Sequence, residues 1–296
     1  MTAVIEVQGL TRHFGKVQAV SDVSFTVEEN TIVGLLGRNG AGKTTLMRLI
    51  TGQEFASAGQ IRVFGDNPVE NASVLARTCF VRETQVYPDS FRGGHALKAA
   101  ARLFPNWDAD YAHRLANEFN LPLRRRIKKM SRGQRSAVGA IIGLAARAEV
   151  TFFDEPYAGL DAVARELFYS HLLEDYSNYP RTIVFSTHLI DEAARLLEHV
   201  VVIDGGSVLM DADADDLRGT AVTLVGAKSA VDKFAMGRES LGSDAVGAIA
   251  SVTLAGLTEA DRAAAVAAGL ELAPVSLQQL IVRRTRGTAQ PEEARS

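Results

Sequence analysis

Apolar residues fall into two kinds of pattern along this chain. Val4 to Val7, Val23 to Val27 and Thr31 to Leu36 are short runs rich in β-branched residues. Polar turns at Gly15-Lys16 and Glu28-Glu29-Asn30 divide them, and they predict three strands. Ile61 to Phe64 and Cys79 to Arg82 predict two more, with a helix over about Glu70 to Arg77 between them. Thr44 to Thr51 has the pattern of a helix start. Helical spacing then takes over: Tyr111, Leu115 and Phe119 recur at i, i+4 and i+8, with Asp108 or Asp110 as the cap. A further helix is expected from about Arg132 to Arg147. Val150 to Phe153, Thr182 to Ser186 and Val200 to Ile203 are mostly apolar and β-branched, the pattern of parallel strands buried on both faces. Strands alternating with helices predict an α/β fold.

Past about Gly219 the composition shifts to Ala, Val and Gly. Short strands are expected at Val222 to Val225, Ser251 to Leu254 and Leu270 to Ala273, with an alanine-rich helix over Glu259 to Ala268. The chain therefore divides into a large domain over 1–218, with a helical subdomain at about 86–147, and a small α/β appendage over 219–285. The polar tail, 286–296, is expected to be disordered.

Composition narrows the class without naming it. With 47% hydrophobic and 23% charged residues, the chain is an ordinary globular protein. Its net charge of −3 gives no pull toward nucleic acid. The single cysteine, Cys79, sits in a strand-like run as a buried filler and excludes an intrachain disulfide, which fits a reducing compartment. The N-terminus lacks a secretory pattern, and the most apolar stretch, Ala137 to Ala146, is too short to span a bilayer. No membrane span is expected in the chain itself.

Chemistry concentrates at Gly37-Arg38-Asn39-Gly40-Ala41-Gly42-Lys43-Thr44-Thr45, which fits the phosphate-binding pattern G-x-x-x-x-G-K-[ST] between a strand and a helix. Glycines let the backbone wrap a polyphosphate with its N–H groups inward, and the helix N-terminus adds partial positive charge. Lys43 is expected on the β/γ-phosphates and the Thr44 hydroxyl on Mg²⁺. The strand Val150 to Phe153 ends in Asp154-Glu155. At the C-terminal end of a parallel strand Asp154 can support Mg²⁺, and Glu155 can polarise the attacking water. Met130-Ser131-Arg132-Gly133-Gln134 opens the preceding helix and forms a second anion site. A second cradle in one subunit makes sense if it faces the nucleotide of a partner.

These motifs, with Ala158-Gly159-Leu160-Asp161 and Ser186-Thr187-His188, closely resemble those of the ATP-binding-cassette (ABC) ATPases over about Val4 to Leu217. The resemblance implies a P-loop NTPase core of the ABC type, with an antiparallel β region and a helical subdomain. By it Ser131, Gly133 and Gln134 belong to the signature motif that closes on the ATP of the opposite subunit. Asp161 is the D-loop aspartate, His188 the switch histidine at the γ-phosphate, and Phe14, with Val20 beside it, the aromatic on adenine.

The chain also departs from the family pattern. Arg132 stands where the signature usually has its first glycine, and Met130 where it has leucine. At the Q-loop position, alignment of Thr78 to Glu83 places Glu83 where the family has glutamine, and Gln85 comes two residues late. A carboxylate can ligate Mg²⁺ as an amide oxygen does, so Glu83 is expected at the Q-loop position near Mg²⁺, with Gln85 as the alternative. The basic run Arg124-Arg125-Arg126 with Lys128-Lys129 is a solvated turn or, alternatively, an electrostatic aid to closure or a lipid or partner contact.

The implied function is that of the ATPase subunit of an ABC transporter, using ATP and Mg²⁺ on the cytoplasmic face of the membrane. Separate membrane-spanning partners would dock near the Q-loop and the insert at Val86 to Pro105. A second ATPase subunit, identical or paralogous, would meet the first head to tail. Val275 to Leu280 resembles the C-terminal segment of export-type subunits. The alternative is a soluble ABC ATPase acting on ribosomes or nucleic acid. The acidic balance and the single cassette oppose it.

Overall fold

The continuous apolar runs fold as the central strands of a parallel sheet. The computed structural model describes residues 2–288. The first elements are β1 (Ala3–Phe14), β2 (Val17–Glu28), β3 (Ile32–Leu36), α1 (Lys43–Ile50) and β4 (Ala58–Val63). Next come α2 (Ala72–Ala76), β5 (Thr78–Arg82), α3 (Gly93–Leu103), α4 (Ala109–Glu118) and α5 (Arg132–Ala145). Then follow β6 (Val150–Asp154), α6 (Ala162–Asn178), β7 (Thr182–Thr187), α7 (Ile190–Ala193), β8 (His199–Asp204) and β9 (Ser207–Asp213). The last stretch holds α8 (Ala214–Leu217), β10 (Ala221–Ala227), α9 (Lys228–Ala235), β11 (Ser240–Val246), β12 (Ile249–Ala255), α10 (Glu259–Ala267), β13 (Glu271–Pro274) and α11 (Leu277–Thr288). The chain forms two compact units: Met1–Leu189 with Leu196–Asp211, and Ile190–Arg195 with the residues from Ala212 onward.

In the first unit a six-stranded sheet has the order β5-β6-β7-β3-β8-β9, with β5, β6, β7, β3 and β8 parallel. Every residue of β3, β6 and β7 is buried. A three-stranded antiparallel sheet, β2-β1-β4, lies beside it. One core joins them, with Ile5, Leu10 and Val23 from the antiparallel sheet, Leu46, Met47 and Leu49 from α1, and Leu35 and Phe152 from the parallel sheet. Strands β1 and β2 run well past the predicted Val4 to Val7 and Val23 to Val27. Antiparallel strands tolerate solvated polar positions, and register shifts along β1 accommodate them.

The helices follow their caps. Asp108 caps α4 by accepting the Tyr111 N–H at 2.8 Å. Ser131 and Gln134 form a capping box that starts α5 at Arg132. Helix α5 ends at Ala145, two residues short of the expected Arg147, which leaves the helix with a φ of 44°. Its approach to the sheet is close: a Cβ at Gly143 would lie 2.3 Å from the Phe153 ring.

The second unit has a four-stranded antiparallel sheet of order β11-β12-β10-β13, in the β-α-β-β-α-β succession of a split βαβ arrangement. Val222, Leu224, Val231, Val252, Leu254 and Leu270 form its core. Strand β11 lacks a clear apolar alternation and is not among the expected strands. Helix α9 is not among the expected helices either, although Ala230, Val231, Phe234 and Ala235 share its buried face. Helix α11 runs to Thr288 and so enters the stretch expected to be a disordered tail, a correction at 286–288. The Gln278 N–H at its start donates to Asp191 Oδ1 at 3.2 Å. The rest of that tail, 289–296, lies outside the described residues.

Candidate active site

The turn from β3 to α1 admits only glycine at two points. A Cβ at Gly37 would fall 2.2 Å from the Ile203 carbonyl oxygen, and one at Gly42 2.5 Å from that of Ala19; both residues have positive φ. The loop therefore presents backbone rather than side chains to the space in front of α1. Lys43 is buried, and its Nζ donates to the carbonyls of Gly37 at 2.7 Å and Arg38 at 3.1 Å. Burial lowers the Lys43 pKa, against the opposing pull of Glu155 and Asp154.

Strand β6 carries the acids to the same place. Asp154 Oδ2 accepts from the Thr44 hydroxyl at 2.7 Å, and Oδ1 accepts from the Ser186 hydroxyl at 2.7 Å. Ser186 Oγ in turn accepts the Glu155 N–H at 3.0 Å. Glu155 has a φ of 48°, a sparsely populated conformation for a residue with a side chain. Its Oε2 lies 2.6 Å from His188 Nδ1 and accepts from the Tyr157 hydroxyl at 2.9 Å. Its Oε1 lies 4.0 Å from Lys43 Nζ. Tyr157 is buried, which raises its pKa and keeps it a neutral donor.

A cavity of about 420 Å³ lies at this point. Asn39, Gly40, Ala41, Gly42, Lys43, Thr44 and Thr45 line it with Glu83, Asp154, Glu155 and His188. Gly37 and Arg38 contribute through the carbonyls that hold Lys43. Glu83 lines the cavity and Gln85 does not; the Glu83 N–H donates to the Asp154 carbonyl at 2.9 Å. Ser131, Gly133, Gln134 and Asp161 are not brought to it. Ser131 and Gln134 are spent on the cap of α5, and Asp161 caps α6 by accepting the Ala164 N–H at 2.8 Å. Phe14 is exposed beside the Arg12 guanidinium, 4.5 Å from its ring centre, and Val20 is buried away from the lining. Arg124, Arg125 and Arg126 are exposed, as a solvated turn requires.

The sequence reading misses Ala19, Arg132 and Ala158 as lining residues, and Tyr157 and Ser186 as their supports. Arg132, Ala158 and Ser186 carry a signal there, as members of motifs; Ala19 and Tyr157 carry none. A larger cavity, of about 630 Å³, includes Arg77, Arg147 and Arg181. It lies where β6 and β7 begin, and its arginines are paired with Glu149 and Asp175. Ligands of open parallel sheets bind at the other strand ends.

Among the described residues no group of three or more His, Cys, Asp or Glu side chains is placed to hold a metal ion. A hydroxyl at Thr44 and a carboxylate at Asp154, with Glu83 on the same cavity, form the sparse oxygen set that suits Mg²⁺ shared with phosphate.

A parallel sheet with a glycine-rich turn feeding a buried lysine into a helix, and an acidic pair at the end of β6 with β7 between it and β3, defines a P-loop nucleoside triphosphatase. The ABC transporter domain family matches residues 20–158. The ABC transporter ATP-binding protein NatA of Bacillus subtilis is 33% identical over 201 residues, which cover 65% of this chain and 81% of that protein. The sulfate/thiosulfate import ATP-binding protein CysA 1 of Agrobacterium fabrum is 31% identical over 231 residues, 73% of this chain and 65% of that one. A solved structure of an ATP binding subunit of an ABC transporter matches with a TM-score of 0.65 at 26% identity, covering 72% of this chain and 91% of that one. The chain belongs to the ABC transporter family, as an ATP-binding subunit of the ABC ATPase type. Its members bind and hydrolyse ATP.

Proposed function

We propose that this chain drives transport through separate membrane-spanning partners by hydrolysing ATP in the cavity between the P-loop and the end of β6. The observation that carries this reading is the convergence of Lys43, Thr44, Asp154, Glu155 and His188 on one cavity from separate strand ends. Backbone N–H groups from Gly40 to Thr45 cradle the triphosphate, and Lys43 offsets the β/γ charge. Thr44 and Asp154, with Glu83, hold Mg²⁺, which when bound neutralises charge on the phosphates. Glu155 takes the proton of the attacking water. With Oε2 engaged by His188 and Tyr157, Oε1 is the oxygen left for that water. His188 stands at the γ-phosphate end, and Phe14, which is exposed, serves adenine with buried Val20 behind it.

That Ser131, Gly133, Gln134 and Asp161 stay off their own cavity supports a role at a partner's nucleotide. Two subunits, identical or paralogous, then meet head to tail and trap two ATP molecules. Among the described residues no helix is long and apolar enough to cross a membrane. This supports an integral membrane partner and a peripheral place on the cytoplasmic face.

Export is our reading of direction, on the resemblance of Val275 to Leu280 to export-type subunits. Import is the second reading, favoured by the 31% likeness to a sulfate/thiosulfate import protein. Purification from native membranes in mild detergent tests the assignment. Recovery of a protein with several hydrophobic spans is expected; a chain found only in the soluble fraction, migrating with ribosomes or nucleic acid, would overturn it. ATP-driven movement of candidate cargo into or out of inverted vesicles then separates export from import.

A further inference from the structure

The two residues at which this chain departs most from its family meet each other. Glu83 directly follows β5, and Arg132 is the first residue of α5. An Arg132 Nη2 N–H donates to Glu83 Oε1 in an ion pair. Both side chains line the nucleotide cavity with Lys43, Thr44 and Asp154.

The backbones behind this pair are held firmly. The Glu83 N–H is tied to the Asp154 carbonyl at 2.9 Å. A Cβ at Gly133 would lie 2.6 Å from the Gly159 carbonyl oxygen, and one at Gly159 2.6 Å from Arg132 Cγ. The Ser136 hydroxyl donates to the Ala158 carbonyl at 2.5 Å. The first turn of α5 is thus packed against the segment that follows Glu155. The guanidinium end of Arg132 is the part free to move: its side chain is 65% exposed, against 33% for Glu83.

The Glu83 carboxylate therefore has two alternative counter-ions. One is the guanidinium already on it; the other is the divalent cation its place on the cavity suits. Exposed guanidinium–carboxylate pairs are weak and easily exchanged, whereas a divalent cation shared with phosphate holds its oxygen ligands more strongly. We propose that Arg132 is a positioning residue that occupies Glu83 until metal-bound nucleotide displaces it. Loading a subunit's own site then releases the side chain at the head of the helix that faces the partner's nucleotide. This rests on the Mg·ATP reading of the cavity and on head-to-tail pairing.

The competition is tested with Mn²⁺ as probe, titrated by electron paramagnetic resonance against protein saturated with adenylyl imidodiphosphate. Arg132→Ala should tighten Mn²⁺ binding about two- to fivefold, the size an exposed ion pair supports. Arg132→Lys, which keeps the charge, should stay nearer wild type. Glu83→Gln should weaken Mn²⁺ binding and abolish the effect of Arg132→Ala in the double variant. Unchanged or weaker Mn²⁺ binding in Arg132→Ala overturns the proposal, as does equal tightening in the Glu83→Gln background. Loss of metal-free nucleotide binding in Arg132→Ala also overturns it, since Arg132 would then be a direct nucleotide ligand. A wild-type protein that takes up no Mn²⁺ with nucleotide instead sinks the site assignment itself.

Discussion

The Tyr157 hydroxyl donates a 2.9 Å hydrogen bond to Glu155 Oε2, the oxygen that His188 Nδ1 also approaches to 2.6 Å. With its one proton committed there, the phenol oxygen accepts from Thr187 Oγ1 at 2.5 Å and from the His188 N–H at 3.2 Å. Tyr157 thus ties the end of β6 to the end of β7. Tyr157→Phe should lower turnover about 10- to 100-fold, the range of a hydrogen bond to a charged group worth about 1.5–3 kcal/mol. Nucleotide affinity should change little. Steady-state kinetics with a parallel binding titration separate the two, and a loss confined to KM would refute the positioning role.

Lys43→Ala removes the buried cation between the P-loop carbonyls and Glu155. Binding or hydrolysis of Mg·ATP should be abolished, because no other side-chain cation at this loop is placed to offset the β/γ charge. Nucleotide titration and phosphate release measure both; unchanged affinity with unchanged turnover would sink the P-loop assignment.

Glu155→Gln keeps the size of the side chain but cannot take a proton from water. Turnover should fall on the order of 10²–10⁴-fold while ATP still binds. Removing one carboxylate beside the γ-phosphate also favours closure, so gel filtration with Mg·ATP should show a dimer. A variant that hydrolyses like wild type shows that Glu155 is not the base. One that is inactive yet monomeric at saturating ATP, with the membrane partner present, argues against the shared site.

Gly143 sets the distance between α5 and the sheet. Alanine there gains about 1 kcal/mol of helix propensity. Its Cβ, however, would lie 2.3 Å from the ring of fully buried Phe153, and overpacking of this kind costs about 1–3 kcal/mol. With contacts this close the steric cost should lie at the upper end and win by about 1–2 kcal/mol. The melting temperature of Gly143→Ala should then drop by about 2–8 °C. A raised melting temperature would show that the core yields at no cost.

Burial pushes the Cys79 thiol up to about 12. At pH 8 only on the order of 10⁻⁴ of it is thiolate, so the native protein should react with iodoacetamide far more slowly than the unfolded chain. Mass spectrometry of timed quenches checks this, and equal rates in the two states would show that β5 opens readily.

The P-loop, Asp154-Glu155 and the strands β3, β6 and β7 were legible in the residue order. Each depends on local chemistry: glycines where the backbone must turn tightly, and continuous apolar runs where a strand is buried on both faces. The α/β class and the family follow from those segments and their order. Strand β11 was not legible, because packing within the second unit supplies the stability its own pattern lacks, and helix α9, though amphipathic, is only eight residues long. Nor does spacing reveal that Tyr157 reaches Glu155 and Thr187, or that Ser186 braces Asp154. These depend on which strands are neighbours and on where each chain turns at a strand end. Arg132 and Glu83 are 49 residues apart, and each alone is a departure from pattern. Only the packing of α5 against β5 and β6, close enough to exclude a side chain at Gly143, brings their opposite charges together.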